Sequence, residues 1–285
     1  MTGTQRIWLV VNDASGSNDE QAIANLERSC TDAGFALERI IRFPEQPLPT
    51  GEGLDRAGMR IIAVFAGDGT VNALVNTLSG WSGKILVLPG GTMNLLYHRL
   101  HGDRDAGDVV RIVAAGDARP TRPGVIACRA GTALADVLAG PGTRWYDVRE
   151  AMREADVLAV AGSAAQALGE TLAKPGIACR EPALGRAEGY PLVMLTPTDE
   201  GLRVCGFYAE TPREFLEGSW ALLRRRFREG PHDELGLVDR ITLVSTVEEP
   251  FGVLIDGEKA ESPGQAEFRL VPCGVDLLAT RSDGR

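Results

Sequence analysis

Three short polar stretches combine side chains able to bind a ligand or handle a proton with glycines that let backbone come close to it. They are NDASG (residues 12–16), AGDGTVN (residues 66–72) and LPGGTMN (residues 88–94). In the second, Gly67 and Gly69 permit positive φ and a close approach to a bulky anion. Thr70 can cap a following helix, whose free N–H groups and dipole favour a phosphate. Asp68 is discordant, because a carboxylate there repels phosphate unless it holds a metal, orients a water, or accepts a proton or a sugar hydroxyl. A carboxylate beside a phosphate nest points to phosphoryl transfer with Mg²⁺. Read alone, the stretch is equally a plain strand–helix turn that uses these residues for turning and capping.

The elements around these stretches decide between the two readings. Short, apolar, β-branched runs predict strands at 6–12, 35–43, 60–66 and 84–89. A helix capped by Ser17 or Asn18 carries Ile23, Leu26 and Cys30 on one face and ends at Gly34. A proline- and glycine-rich loop fills 44–58. Helices are expected at 70–79, after GGTMN, and around Val109, Ile112 and Val113. Strand alternating with helix predicts an α/β fold with a parallel, doubly wound sheet, whose ligands gather at the carboxyl ends of its strands. All three polar turns follow such strands, so they converge on one edge. No G-x-x-x-x-G-K-[ST] occurs, and no G-x-G-x-x-G opens a helix, which argues against a P-loop enzyme and a dinucleotide oxidoreductase.

The rhythm changes at ARPTRPG (residues 118–124), placing a domain boundary near 120. Residues 1–120 form the α/β domain, and 121–285 an antiparallel, β-rich one whose last strand is able to return to the first. Strands are expected at 124–129, 133–138, 177–181, 191–196, 202–209, 240–247, 251–255 and 266–280. Helices are expected at about 144–154, 162–173 and 212–228. The 285 residues carry a net charge of −9, which argues against nucleic acid and against bulk attraction to an anionic membrane. Cys30, Cys128, Cys179, Cys205 and Cys273 form no C-x-x-C pair and read as reduced and buried, as in a cytoplasmic protein. No apolar run reaches the roughly 20 residues that span a bilayer, so the expectation is a soluble protein, at most peripheral to the inner face of the membrane.

Together, NDASG, AGDGTVNALVNTL and LPGGTMNLLYHRLHG resemble the diacylglycerol kinase catalytic-domain family, which includes bacterial lipid kinases and sphingosine and ceramide kinases. The resemblance resumes at VLIDGEKAE (residues 253–261). It implies a kinase with ATP between an N-terminal, NAD kinase-like nucleotide-binding domain and a C-terminal β-sandwich lipid domain. The reaction it implies is transfer of the γ-phosphate of ATP, with Mg²⁺, to a hydroxyl of diacylglycerol or a related lipid at a membrane surface. By position, Asn12, Asp13, Ala14, Ser15 and Gly16 would contact the nucleotide. Gly67, Asp68, Gly69, Thr70, Val71, Asn72 and Ala73 would wrap its phosphates, with Asp68 as metal or substrate organiser. Gly91, Thr92 and Asn94 complete the nucleotide contacts, and Glu258 matches the family's general base. LIDGEKA also reads as a hairpin with Asp256-Gly257 as its two-residue turn. The chain departs from the family pattern at Ala66, where a glycine is usual, at Asp13, where proline is usual, and at Leu95, where an acidic residue is usual. The last motivates an alternative, a nucleotide-binding regulatory protein with weak or lost turnover. A soluble-substrate kinase of the NAD kinase type fits the companion turns less well.

Weaker features have simpler readings. SWALLRRRFREG (residues 219–230) is either a membrane-surface helix or an ordinary packed helix whose last-turn arginines suit its dipole. RWYDVREAMREAD (residues 144–156) reads as an amphipathic helix. His98 and His101 are spaced as a metal pair, but without a third ligand they read as structural. PTDEGLRV (residues 197–204) only loosely matches the family's acidic segment.

Overall fold

In the computed structural model the described residues are 5–12, 20–91, 93–144, 176–208 and 232–281. The chain separates into two units, Met1–Pro123 with Pro272–Arg285, and Gly124–Val271. Apart from Arg144, the helices predicted at about 144–154, 162–173 and 212–228, and the basic stretch 219–230, lie outside the described residues.

The first unit runs β1 (Gln5–Val11), α1 (Glu20–Asp32), β2 (Phe35–Arg42), α2 (Gly51–Arg56), β3 (Ile61–Ala66), α3 (Asp68–Thr77), β4 (Lys84–Pro89), α4 (Leu95–His101), α5 (Ala106–Ala115) and β5 (Arg119–Thr121). After the second unit the chain comes back as β17 (Asp276–Ala279). The sheet order is β2-β1-β3-β4-β17-β5, with β2 through β17 parallel and β5 antiparallel to β17. All six residues of β3 are buried, as an interior strand of a parallel sheet covered on both faces requires. The expected 44–58 loop contains α2, whose Thr50 side chain accepts from Gly53 N–H as an N-cap. Its six residues are too few for apolar periodicity to reveal it. The helix expected at 70–79 begins two residues earlier.

The second unit contains β6 (Gly124–Cys128), β7 (Gly131–Ala133), β8 (Val137–Ala139), a 3-10 turn (Pro141–Arg144), β9 (Ile177–Glu181), β10 (Leu192–Pro197) and β11 (Leu202–Phe207). It continues with β12 (His232–Val238), β13 (Arg240–Ser245), β14 (Phe251–Ile255), β15 (Glu258–Ser262) and β16 (Gln265–Pro272). Among the described residues these form an antiparallel sheet β12-β11-β10-β8-β14-β15 and a second sheet β7-β6-β16-β13-β9. Ile126, Ile241, Leu243 and Phe268 of one sheet and Val193, Leu195, Val204 and Val253 of the other share one core. Two expectations fail here. The single strand expected at 133–138 is broken between β7 and β8, and that expected at 266–280 is two strands, β16 and β17, in different units. Pro272 and Gly274 interrupt the second run, but its apolar alternation hides the break.

Candidate functional site

Strand register sets where the three polar turns fall. Val11 lies opposite Phe65, and Ala66 opposite Pro89, so β1, β3 and β4 end level with one another. Asn12, Gly67 and Gly90 therefore leave the sheet side by side at its carboxyl edge. The turns are joined directly. Asn12 Nδ2 donates to Thr70 Oγ1 at 2.8 Å, tying the first turn to the second. The second and third touch through backbone: a Cβ on Gly91 would sit 2.5 Å from the Cα of Gly67. The third is closed by Asn94, whose Oδ1 accepts from Gly91 N–H at 2.8 Å while its Nδ2 donates to Gly91 O at 2.9 Å. Asn94 has a left-handed backbone with φ 49°, which asparagine tolerates better than most residues.

Asp68 is the hub. It occupies the first position of α3, where a negative charge suits the helix dipole. Its Oδ2 accepts from Leu95 N–H at 3.2 Å and its Oδ1 from Leu96 N–H at 3.4 Å. The side chain of Asn94 makes no cap bond to α4, so the carboxylate of Asp68 caps that helix from another turn. Burial pushes the Asp68 carboxyl above its ordinary value, with the bonds from Leu95 and Leu96 and the nearby His98 opposing the shift.

Two local expectations are corrected. Gly67 is the N-cap of α3 with φ −74° and Gly69 lies within the helix, so neither serves through positive φ. It is Gly91 whose missing Cβ lets the third turn approach the backbone of Gly67. Nor is Thr70 the cap: it lies in the first turn, buried, and its hydroxyl receives Asn12. The first-turn N–H groups of α3 have no intrahelical partner by the geometry of any helix start, and they open on this edge.

Of the other predicted residues, Val71 is 2 % exposed and Asn72 8 %. Val71 packs into the core, and Asn72 Oδ1 accepts from Asn76 Nδ2 at 2.6 Å. Ala73 is half-buried one turn further on. Asp13, Ala14, Ser15, Gly16 and Thr92 lie outside the described residues.

In the second unit, Glu258 is exposed and opens β15, opposite Ile255. Asp256 and Gly257 form the intervening turn with φ 49° and 87°, the positive pair of a type I′ hairpin. The Asp256 carboxylate reaches away from that hairpin. Its Oδ2 accepts from Leu134 N–H at 2.8 Å, and its Oδ1 from Ala135 N–H at 2.8 Å and Asp136 N–H at 3.1 Å. Burial raises its carboxyl to about 7 against these bonds. Sequence reading missed this arrangement, since the donors lie 120 to 122 residues away. The second unit also has a cleft of about 400 Å³ lined by Cys128, Arg129, Val253, Ser262, Ala266 and Phe268, at the small end of ligand-site volumes.

His101 is fully buried, with Nδ1 3.0 Å from Thr280 Oγ1 and Nε2 without a well-formed hydrogen bond, although the backbone of Val87 lies near. Burial lowers it to about 4. Among the described residues, no three His, Cys, Asp or Glu side chains cluster as a metal site, the 197–204 segment included. The cysteines are free thiols; Cys128 is half-buried and the rest are buried. No described helix is long and apolar enough to cross a membrane.

Residues 6–126 match the family model of the diacylglycerol kinase catalytic domain, so the resemblance carried by the three turns holds over the stretch that contains them. The segment with Asp256 and Glu258 lies beyond that match. The fold resembles a crystal structure of a diacylglycerol kinase from Bacillus anthracis str. Sterne, with 16% identity, a TM-score of 0.58, and 98% of each chain covered. Two structures of candidate diacylglycerol kinases from the same organism align similarly. One has 17% identity, a TM-score of 0.58 and 98% of each chain covered; the other has 18%, 0.57 and 100% of each chain. Among curated proteins, none matches the sequence significantly.

Proposed function

We propose that this protein is an ATP- and Mg²⁺-dependent lipid kinase that transfers the γ-phosphoryl group of ATP to a hydroxyl of diacylglycerol or a related lipid. The observation that carries the reading is the junction of three polar turns at one sheet edge, within a stretch matching a kinase catalytic domain. In this reading the first unit is the NAD kinase-like nucleotide domain and the second a sandwich-like lipid domain. The first-turn N–H groups of α3 and the Gly90-Gly91 turn receive phosphate oxygens, Asn12 and Thr70 hold the cradle together, and Asn94 keeps its rim closed. Residues 13–16 and Thr92 complete the nucleotide contacts. Mg²⁺ commonly binds through one or two carboxylates plus substrate phosphates rather than an all-protein cage. Asp68, alone among described acidic residues in the three turns, fits that mode. When bound, the ion would neutralise charge developing on the transferred group. Glu258 would accept the proton of the attacking lipid hydroxyl, as its exposure permits. The cleft beside β15 offers apolar wall for part of an acyl chain.

One observation favours a second reading. Both Asp68 oxygens already accept backbone N–H groups, one from Leu95, which brings no carboxylate of its own. A nucleotide-binding regulatory protein with weak turnover would look like this.

The deciding experiment is transfer of radiolabel from γ-labelled ATP, with Mg²⁺, into a total bacterial lipid extract, using Asp68→Ala as control. A labelled lipid that vanishes in the variant supports the kinase and names its acceptor. No label, in a protein whose melting temperature still rises with ATP, supports the binding protein; Leu95→Asp would then be expected to create activity.

A further inference from the structure

The IDGE segment contains two carboxylates with different surroundings. Glu258 is exposed, whereas Asp256 points into the protein and accepts from Leu134, Ala135 and Asp136. A hairpin turn does not need this. Asn-Gly and Asp-Gly serve a type I′ turn equally well, so the carboxylate does something beyond turning the chain.

What it does follows from the strand order. β14 lies between β8 and β15, with Ile255 opposite both Val137 and Glu258. The segment 134–136 leads directly into β8. The turn is fastened to it by three bonds to the Asp256 side chain and a fourth, from Asp256 N–H to Asp136 O at 3.1 Å. Among the described residues β15 is an edge strand, with β14 as its only strand neighbour in the sheet. Its first residue would otherwise take its position from the β14 ladder alone. We propose that Asp256 is a positioning residue for the transfer reaction, clamping the 256–257 turn to the 134–136 backbone so that Glu258 is held at a fixed height above the β14 end. The inference rests on the kinase reading and on Glu258 as its base.

Asp256→Asn isolates the clamp. Asparagine keeps the turn, because Asn-Gly is a favoured type I′ pair. It also replaces one acceptor oxygen with an NH₂ donor, which faces a backbone N–H whichever way the amide lies. The test compares wild type, Asp256→Asn, Glu258→Gln and the double variant, with labelled ATP, Mg²⁺ and the total lipid extract. Misplacing a catalytic group by about 1 Å costs on the order of 10²-fold. The expected result is a kcat lower by about 10²-fold in Asp256→Asn with the KM for ATP unchanged. Amides of 134–136 should exchange faster, and the double variant should be no slower than Glu258→Gln alone, because residues acting as a unit are not additive. Asp256→Glu, which keeps both oxygens but displaces them, should show the same non-additivity. Wild-type kcat in Asp256→Asn, or losses that multiply in the double variant, would overturn the clamp while leaving the kinase intact. An inert wild type would overturn both.

Discussion

Asp68 has two separable roles, and two substitutions should divide them. As the cap of α4 it satisfies the N–H groups of Leu95 and Leu96. Losing a side-chain cap costs about 1 kcal/mol, within a range of roughly 0.5–2. Asp68→Ala should therefore destabilise the first unit by about that amount, or roughly 3 °C for a unit of its size. Asp68→Asn should lose less, because one acceptor oxygen remains. The folded carboxyl is raised by burial, so its ionisation costs stability: the extra stability of the protonated form is complete below the unfolded value and lost as pH rises through the folded one. Asparagine carries no charge to bury and keeps one acceptor oxygen, but its NH₂ faces the other N–H, so Asp68→Asn should melt between Asp68→Ala and wild type at pH 7. Activity should not follow this order. Removing one preorganised electrostatic partner of a transition state costs about 10²–10³-fold, or roughly 3–4 kcal/mol, so both variants should lose at least about 10²-fold in phosphate transfer. The assays are thermal denaturation at pH 7 and labelled transfer from ATP. Asp68→Asn with wild-type turnover would refute the catalytic argument, and Asp68→Ala with an unchanged melting temperature would refute the cap.

Three further outcomes are expected. Gly91→Ala places a methyl 2.5 Å from Gly67 Cα; such overpacking costs about 1–3 kcal/mol, and the rise in melting temperature with ATP should disappear. Glu258→Gln should lower kcat by about 10²–10⁴-fold with the melting temperature unchanged, since the residue is exposed. His101, lowered to about 4, binds its proton more readily when unfolded, so stability is complete above about pH 6.5 and falls as pH drops toward 4. The raised carboxyls of Asp68 and Asp256 act in the opposite sense, so urea titrations should compare variants: between pH 7 and pH 5 wild type should lose about 2 kcal/mol relative to His101→Gln.

How much of this was legible before the structure differs by kind of interaction. The apolar runs of β1, β3 and β4 announce themselves because a strand buried on both faces must be continuously hydrophobic, and glycine-bearing turns after them mark their carboxyl ends. The junction of those turns is only half legible. Its glycines stand out, but they suggest positive φ, whereas Gly67 and Gly91 act by mutual approach of backbone. Asn12 with Thr70, Asp68 with α4, and Asp256 with 134–136 are long-range side-chain bonds, and nothing local distinguishes these partners from ordinary turn residues. β12 and β15 were missed because their alternation is weak and charged. α2 was missed because one and a half turns cannot display a helical period.

The return of β17 to the first sheet has a consequence in time. β4 and β5 are neighbours through β17 alone, yet from Pro123 to Pro272 the ribosome must add 272 − 123 = 149 residues. At translation rates of about 5–20 residues per second that takes roughly 7–30 s. Throughout that interval the nascent first unit carries an open parallel edge on β4, and β5 has no strand to pair with. An unpaired edge invites pairing with other chains, so during this interval the growing chain is exposed to aggregation through the β4 edge. The sheet that bears the three turns is completed only after every residue of the second unit has been made.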